Sequence, residues 1–187
     1  MRIIRYDALI EAPWKNGGGV TRDVASDSVD DDPIWRLSIA DVKQDGPFSN
    51  FAGMVRILTV INGHGMALES KQGTIDARGW TPVRFDGALN IYGHLTSGPL
   101  TNLNLMFNPD YCDGNVAVLQ GPHQQSLKPG SNRVLSAFCL SGTLDLNADI
   151  VLYPGDTAMV DTHDCEMTLK AGDAALLVTI DLINLSD

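Results

Sequence analysis

Positive charge is scarce in this chain. Thirteen Lys and Arg stand against 23 Asp and Glu, a net charge of −10 over 187 residues. That balance argues against nucleic acid, which requires a basic footprint, and against an anionic membrane surface. Apolar runs are short, and none approaches the ~20 residues of a membrane-spanning helix. The N-terminus has no long apolar stretch, so no signal peptide is expected and the location reads as cytoplasmic. Cysteine is sparse too. Cys112, Cys139 and Cys165 are odd in number, widely spaced and form no Cys-x-x-Cys, which reads as buried free thiols. Catalytic signatures are equally thin. There is no Gly-x-Ser-x-Gly elbow and no Cys beside a plausible base. No spacing pairs Asp7, Glu11, Asp23 or Asp41 as acid and base.

Helical periodicity is missing as well. What the chain has is short alternating or β-branched runs, cut by Gly, Pro and Asn-Gly turns. Residues 34–42 are the clearest. Trp35, Leu37, Ile39 and Asp41 fall on one face, and Arg36, Ser38, Ala40 and Val42 on the other. In residues 102–107, Leu103, Leu105 and Phe107 make an apolar face. Asn102, Asn104 and Met106 make a second face that points either to solvent or into a polar cavity. Residues 26–33 hold Asp27, Asp30, Asp31 and Asp32 without calcium-loop spacing, and read as a solvated acidic loop.

The pattern starts again after residue 115, in order. Arg56-Ile-Leu-Thr echoes Arg133-Val-Leu-Ser, Ile61-Asn-Gly echoes Leu140-Ser-Gly, and Arg78-Gly-Trp-Thr echoes Pro154-Gly-Asp-Thr. A repeat decides architecture. The expectation is an all-β chain of two tandem antiparallel β-barrel or jelly-roll units packed as one compact unit. The first spans 1–111 and the second 112–187, with final strands open to exchange between barrels. Gly-Asp turns in short barrels suggest a cupin. Many cupins hold a metal through His-x-His, a following Glu and a later His. Here His64, His94, His123 and His163 contain no His-x-His, and His64 and His163 fall in different repeats, so no metal and no cofactor are expected.

The least ordinary run is residues 14–23, Trp-Lys-Asn-Gly-Gly-Gly-Val-Thr-Arg-Asp. Three glycines let a backbone take positive φ and approach other groups closely. The run does not match a phosphate loop: Lys15 precedes the glycines and no helix follows. Two readings stay open. One is a glycine turn between strands. The other is a binding loop in which Arg22 or Lys15 meets an anionic ligand while Asn16 and backbone N–H groups orient it.

This run, with Trp35-Arg-Leu-Ser-Ile-Ala, Gly46-Pro-Phe-Ser, Phe51-Ala-Gly-Met-Val-Arg, Val60-Ile-Asn-Gly and Asn102-Leu-Asn-Leu-Met, resembles the HutD/Ves family. The likeness is dense to about residue 107 and diffuse beyond it. It implies a double-barrel cupin without the metal triad, bacterial and soluble, with no established enzymatic activity. In the histidine-operon branch it implies a governor that binds an intermediate such as formiminoglutamate or urocanate. The family pattern falls on Trp14, Asn16, Thr21, Arg22, Trp35, Ser38, Phe48, Ser49, Arg56 and Asn104. Two residues depart from it: Asn102 stands where some relatives are expected to carry Asp, and Asn108 where a basic residue is common.

The expected function is therefore a non-catalytic cupin binding a small carboxylated, anionic metabolite in a regulatory or buffering role. An isomerase or hydrolase with an unrecognised metal-free mechanism is the alternative. The expected site is Trp14, Asn16, Thr21, Arg22, Ser38, Phe48, Arg56 and Asn104. Arg22 or Arg56 pairs with the carboxylate, amides and hydroxyls hydrogen-bond it, and Trp14 and Phe48 pack on its carbon skeleton. A homodimer is left open. A structural role for Arg56 would show as an ion pair with Asp41 or Glu69.

Overall fold

A computed structural model describes residues 1–30, 32–161 and 163–183. Among them the only helical element is a 3-10 turn at Tyr6–Ala8; the rest is strand, turn and loop. The chain opens with β1 (Arg2–Ile4). Ten strands follow: β2 (Glu11–Pro13), β3 (Gly19–Val29), β4 (Asp32–Val42), β5 (Gly46–Pro47), β6 (Val55–Asn62), β7 (Met66–Ser70), β8 (Gly73–Ala77), β9 (Val83–Asp86), β10 (Tyr92–Leu95) and β11 (Leu100–Phe107). The last eight are β12 (Cys112–Gln120), β13 (His123–Leu127), β14 (Arg133–Ser141), β15 (Leu144–Leu146), β16 (Ile150–Leu152), β17 (Thr157–Val160), β18 (Cys165–Leu169) and β19 (Ala174–Leu182).

Two compact units result. One is Ile10–Asp110 and the other joins Met1–Leu9 to Tyr111–Asp187. The first unit holds a six-stranded sheet, β2-β3-β4-β11-β6-β9, and a four-stranded sheet, β5-β10-β7-β8. The second holds β1-β17-β14-β19-β12 and β13-β18-β15-β16. Lowering each second-unit number by eight turns β12-β19-β14-β17 into β4-β11-β6-β9, and β13-β18-β15-β16 into β5-β10-β7-β8. Both orders occur in the first unit, so the duplication heard in the sequence is present in the topology.

A bulge fixes the register of the repeat. Where β11 pairs with β6, Thr101 faces Asn62 and Asn102 faces Val60, leaving Ile61 extra. Where β19 pairs with β14, Ala174 faces Ser141 and Ala175 faces Cys139, leaving Leu140 extra. A bulge places two residues against one and bends the strand. Matching the two bulges sets Ile61 on Leu140, as the sequence echo does, but sets Arg56 on Leu135 rather than on Arg133. The apparent Arg56–Arg133 echo lies two residues out of structural register.

The four-Asp stretch is not all loop. β3 runs to Val29 and β4 starts at Asp32, so the two strands form one long hairpin, exposed at Ser26–Ser28 and Asp32–Pro33, with Asp30 at φ 49°. Asp31 lies outside the described residues. The exchange of strands falls at the chain's beginning, not its end. β1, expected in the first barrel, pairs with β17 through Arg2↔Met159 and Ile4↔Thr157. Asp156 holds the segment after β1. Its carboxylate accepts from Tyr6 N (3.0 Å), Tyr153 N (3.1 Å) and Arg5 Nη1 (2.7 Å). Burial alone would push this carboxyl up, but the Tyr153 and Tyr6 N–H groups and the Arg5 guanidinium hold it below the usual carboxylate range.

Each unit closes on its own apolar cluster. In the second unit both sheets contribute, among others Leu135, Ala137, Cys139, Leu144, Leu146, Leu152, Val160, Met167 and Ala175, nearly all fully buried. In the first, Val42, Leu58, Val60, Met66, Leu68, Phe85 and Leu100 do the same, with Trp14 and Phe48 packed against them. Each fully buried aliphatic side chain contributes about 1.5–3 kcal/mol. Cys112, Cys139 and Cys165 are buried thiols, and burial, with the nearby Asp156 and Asp173 carboxylates, pushes the Cys139 thiol up to about 12.

Two outcomes follow for stability. Asp156→Ala lowers unfolding free energy by about 2–4 kcal/mol at neutral pH, measured by urea denaturation. The parent's advantage over that variant is present above the ordinary carboxyl value of 3.8 and fades as pH falls through the lower folded value. Gly19→Ala puts a methyl group 2.2 Å from the Asp41 carbonyl oxygen. It forces β3 off β4 and costs about 1–3 kcal/mol in the same assay, whereas Ala at Gly46, with open space around it, does not.

Candidate functional site

The glycine run is a turn between strands and a cavity wall at once. β2 pairs with β3 through Glu11↔Arg22, Ala12↔Thr21 and Pro13↔Val20, so residues 14–18 form the loop of a hairpin. Gly17 N donates to Trp14 O (3.0 Å), Trp14 N donates to Gly19 O (2.9 Å), and Gly17 sits at φ 71°. Asn16 Oδ1 accepts from Gly18 N (3.0 Å). This geometry sets Trp14, Lys15 and Asn16 in the wall of a cavity of about 620 Å3 in the first unit.

Strand alternation supplies the cavity floor. Three cross-strand rows step through β4, β11 and β6: Arg36–Met106–Arg56, Ser38–Asn104–Leu58 and Ala40–Asn102–Val60. From these rows Arg36, Ser38, Ala40, Asn102, Asn104, Met106 and Arg56 line the cavity. The opposite face, with Trp35, Leu37, Ile39, Leu103, Leu105 and Phe107, is buried. The two-amide face of residues 102–107 therefore points into a polar cavity. Phe48, Ser49 and Phe51, from the segment after β5, close the remaining side.

Arg56 is the central group. It is only 5% exposed. Its guanidinium lies over the rings of Phe48, Phe51 and Phe85, at 5.6, 5.3 and 5.2 Å from their centroids. Its Nη1 donates to Ser49 O (3.3 Å), its buried Nε has no acceptor, and no carboxylate stands beside it among the described residues. Burial first, then the charge of Arg36, lowers its pKa to about 10. The ion pairs that would have made Arg56 structural are taken by others. Asp41 pairs with Arg22 and accepts from Thr101 Oγ1, and Glu69 pairs with His94.

The structure brings together Trp14, Asn16, Thr21, Ser38, Phe48, Arg56 and Asn104 at this cavity. It does not bring Arg22. Thr21 points inward, where its Oγ1 accepts from Trp14 Nε1 (2.8 Å), so its neighbour Arg22 points the other way. There Arg22 pairs with Asp41 (2.8 Å) and Glu11, and it is absent from the lining. Arg36 was not singled out in the sequence, although it shares the alternating face of Ser38. It reaches the cavity while its Nε donates to Asp23 (2.6 Å). Trp14 and Phe48 meet edge to face at 6.3 Å, an apolar corner beside the cations.

Asn104 Oδ1 is fully buried and has no hydrogen-bond partner among the described residues. Asn102 Nδ2 donates to Ala40 O (3.4 Å). Asn108 is outside the lining. The lining holds Lys15, Arg36 and Arg56, with no carboxylate, imidazole, thiol or phenol. Such a set does not fit the metal that many cupins carry, since guanidinium and ammonium groups repel a cation. Among the described residues no three His, Cys, Asp or Glu side chains are grouped to hold a metal ion. His94 instead bridges Glu69 (3.0 Å) and Asp45 (3.4 Å), and His123 bonds Gln125 (3.1 Å).

Comparison with known proteins places the chain in a family. The HutD family model matches residues 6–178. An uncharacterized 21.2 kDa protein in the hutC 3′ region of Pseudomonas putida is 36% identical over 117 residues. That match covers 58% of this chain and 59% of the relative, so it spans less than two thirds of the relative's length. The structure of HutD from Pseudomonas fluorescens SBW25 superposes with a TM-score of 0.85 at 27% identity, over 98% of this chain and 99% of that one. A conserved protein of unknown function from Pseudomonas aeruginosa PAO1 superposes with a TM-score of 0.81 at 28% identity, over 97% of each chain. The chain belongs to the HutD family, and its fold is the all-β, cupin-like fold of that family.

Proposed function

We propose that this protein binds a small carboxylated metabolite in the first-unit cavity, without chemical turnover, in a regulatory or buffering role. One observation carries the reading: Arg56 is a buried cation, open to a cavity, with no anion of its own. A buried charge without a partner is costly, and proteins pair such charges or place them where a ligand completes the pair. Arg suits a carboxylate because its fork offers two parallel N–H donors. Trp14 and Phe48 offer an apolar corner to the ligand's carbon skeleton, as in most small-molecule sites.

The lining also supports a binder over an enzyme. General acid–base work requires a group that changes protonation near the working pH, within reach of the reacting atom. The lining supplies amides, hydroxyls, aromatic rings and permanent cations. The relative encoded in a hutC region directs the choice of metabolite towards histidine breakdown, where formiminoglutamate and urocanate are carboxylates of suitable size.

Thermal shift of the purified protein against these carboxylates is the direct test. A ligand at 100-fold its Kd adds about 2.7 kcal/mol of stability. The Arg56→Met variant is expected to lose the shift while its ligand-free Tm stays equal to the parent's or rises, because an uncompensated buried charge has been removed. A shift that survives in Arg56→Met, or no shift with any carboxylate, rejects the assignment. In a Lys15→Met background, which removes the other flexible cation of the lining, affinity is also expected to fall as pH rises through about 10, the value to which burial and Arg36 lower Arg56. An ordinary exposed arginine would hold binding constant there.

A further inference from the structure

We propose that Arg56 is a site of covalent modification: its guanidinium condenses with small, neutral α-dicarbonyl compounds that enter the first-unit cavity, and it does so ahead of ordinary exposed arginine in the same chain. The cavity admits such a reagent. Pro13, Lys15, Asn16, Pro47 and Ser49 line it and are exposed, so it reaches the surface, and its volume of about 620 Å3 far exceeds that of a three-carbon molecule. Inside, Arg56 presents an unengaged nitrogen. Nη1 donates to Ser49 O, whereas Nη2 makes no hydrogen bond among the described residues and, unlike Nε, is not sealed from solvent.

Most other arginines are held by carboxylates. Arg5 pairs with Asp156, Arg22 with Asp41 and Glu11, Arg36 with Asp23, Arg78 with Asp76 and Arg133 with Asp181. A carboxylate favours the charged guanidinium, and only the uncharged form has a lone pair that attacks carbon. Arg133 shows the direction, since the hydrogen bond and charge of Asp181 raise its pKa. Arg84 lies over the Phe107 ring. Arg2 is exposed and has no ion pair among the described residues, so it serves as the benchmark. Arg56 differs from Arg2 in being desolvated. Burial, then the charge of Arg36, lowers its pKa to about 10, which multiplies its uncharged share at neutral pH by about a hundredfold or more.

The condensation balances without an oxidant, a reductant or a leaving group. Arg56 first yields one proton to water. The lone pair of Nη2 attacks one carbonyl carbon, a C–N bond forms as the C=O π bond opens, and the nitrogen's proton passes to that oxygen. Nη1 leaves Ser49 O and adds to the second carbonyl in the same way. The product is a five-membered ring bearing two hydroxyls, the sum of guanidine and dicarbonyl. Negative charge develops on each oxygen during attack, and Lys15 and Arg36, cations of the same lining, stabilise it.

The test treats the purified full chain with a limiting dose of methylglyoxal at neutral pH, folded and in urea, and follows each arginine by peptide mass mapping. In the folded chain Arg56 is expected to react about tenfold or more faster than Arg2, and in urea the two should react alike. Met106→Glu places a carboxylate at the cross-strand partner of Arg56 and should slow Arg56 by about tenfold while leaving Arg2 unchanged. Asn104→Asp, close to the parent in shape, makes the same comparison if Met106→Glu does not fold. Arg56 reacting no faster than Arg2, a preference that persists in urea, or a rate that the introduced carboxylate does not change each overturns the inference. The modification needs no bound metabolite, so its outcome and that of the thermal-shift test stand or fall separately.

Discussion

A guanidinium enclosed by three phenylalanine rings, without a carboxylate beside it, is the constraint on which the first unit turns. The rings of Phe48, Phe51 and Phe85 solvate the charge through their π faces, at 5.2–5.6 Å. Such contacts are worth about 0.5–2 kcal/mol each and fall short of the hydration that burial removes. The pKa of about 10 records that shortfall. The surroundings follow from it. Phe48 comes close to β10, and it can because Gly93 carries no side chain: a Cβ there would stand 2.6 Å from the ring. Asp41 and Glu69, the carboxylates within reach by sequence pattern, are held by Arg22, Thr101 and His94. Neither carboxylate lines the cavity that Arg56 faces.

Duplication makes the cost visible. Two units share one strand order, shifted by eight strands, and share even the bulge that leaves Ile61 and Leu140 extra. One interior is filled by Leu135, Ala175 and Leu177, and the other keeps Arg56, Asn102 and Asn104 around a cavity. Single buried hydroxyls such as those of Ser136 and Thr157 are tolerated without a partner, but a guanidinium is a far costlier group to leave unpaired. Because the apolar solution is present in the same chain, the polar one points to function and not to an inherited demand of the fold.

Much of this was legible in the sequence, and the limits have physical causes. Alternation in residues 34–42 and 102–107 identified the two strands that floor the cavity, and turn residues marked most of the others. The glycine run located part of its wall. Alternation has period two, however, and one residue decides which way a side chain faces. Arg22 carries the right chemistry on the wrong parity, since the Trp14–Thr21 hydrogen bond turns Thr21 inward. Arg36 carries the right parity and was passed over, because nothing in a strand pattern says which of two faces encloses a cavity. The destination of β1 was also hidden. Its pairing with β17 depends on Asp156, some 150 residues away, accepting the Tyr6 N–H.

The charge of the whole molecule and the charge of the site are opposite, and that contrast bears on how the cavity works. Net charge is −10, yet the lining holds three cations and no carboxylate. Exposed acidic groups act through water and salt, which screen them beyond about 8–10 Å. Arg56 acts at contact distance in a desolvated pocket, where an ion pair is worth more. The acidic surface therefore weakens long-range attraction of anions without cancelling the local field of the three lining cations. On the reading proposed above, capture of a carboxylate rests on fit and on local pairing with Arg56 more than on long-range steering.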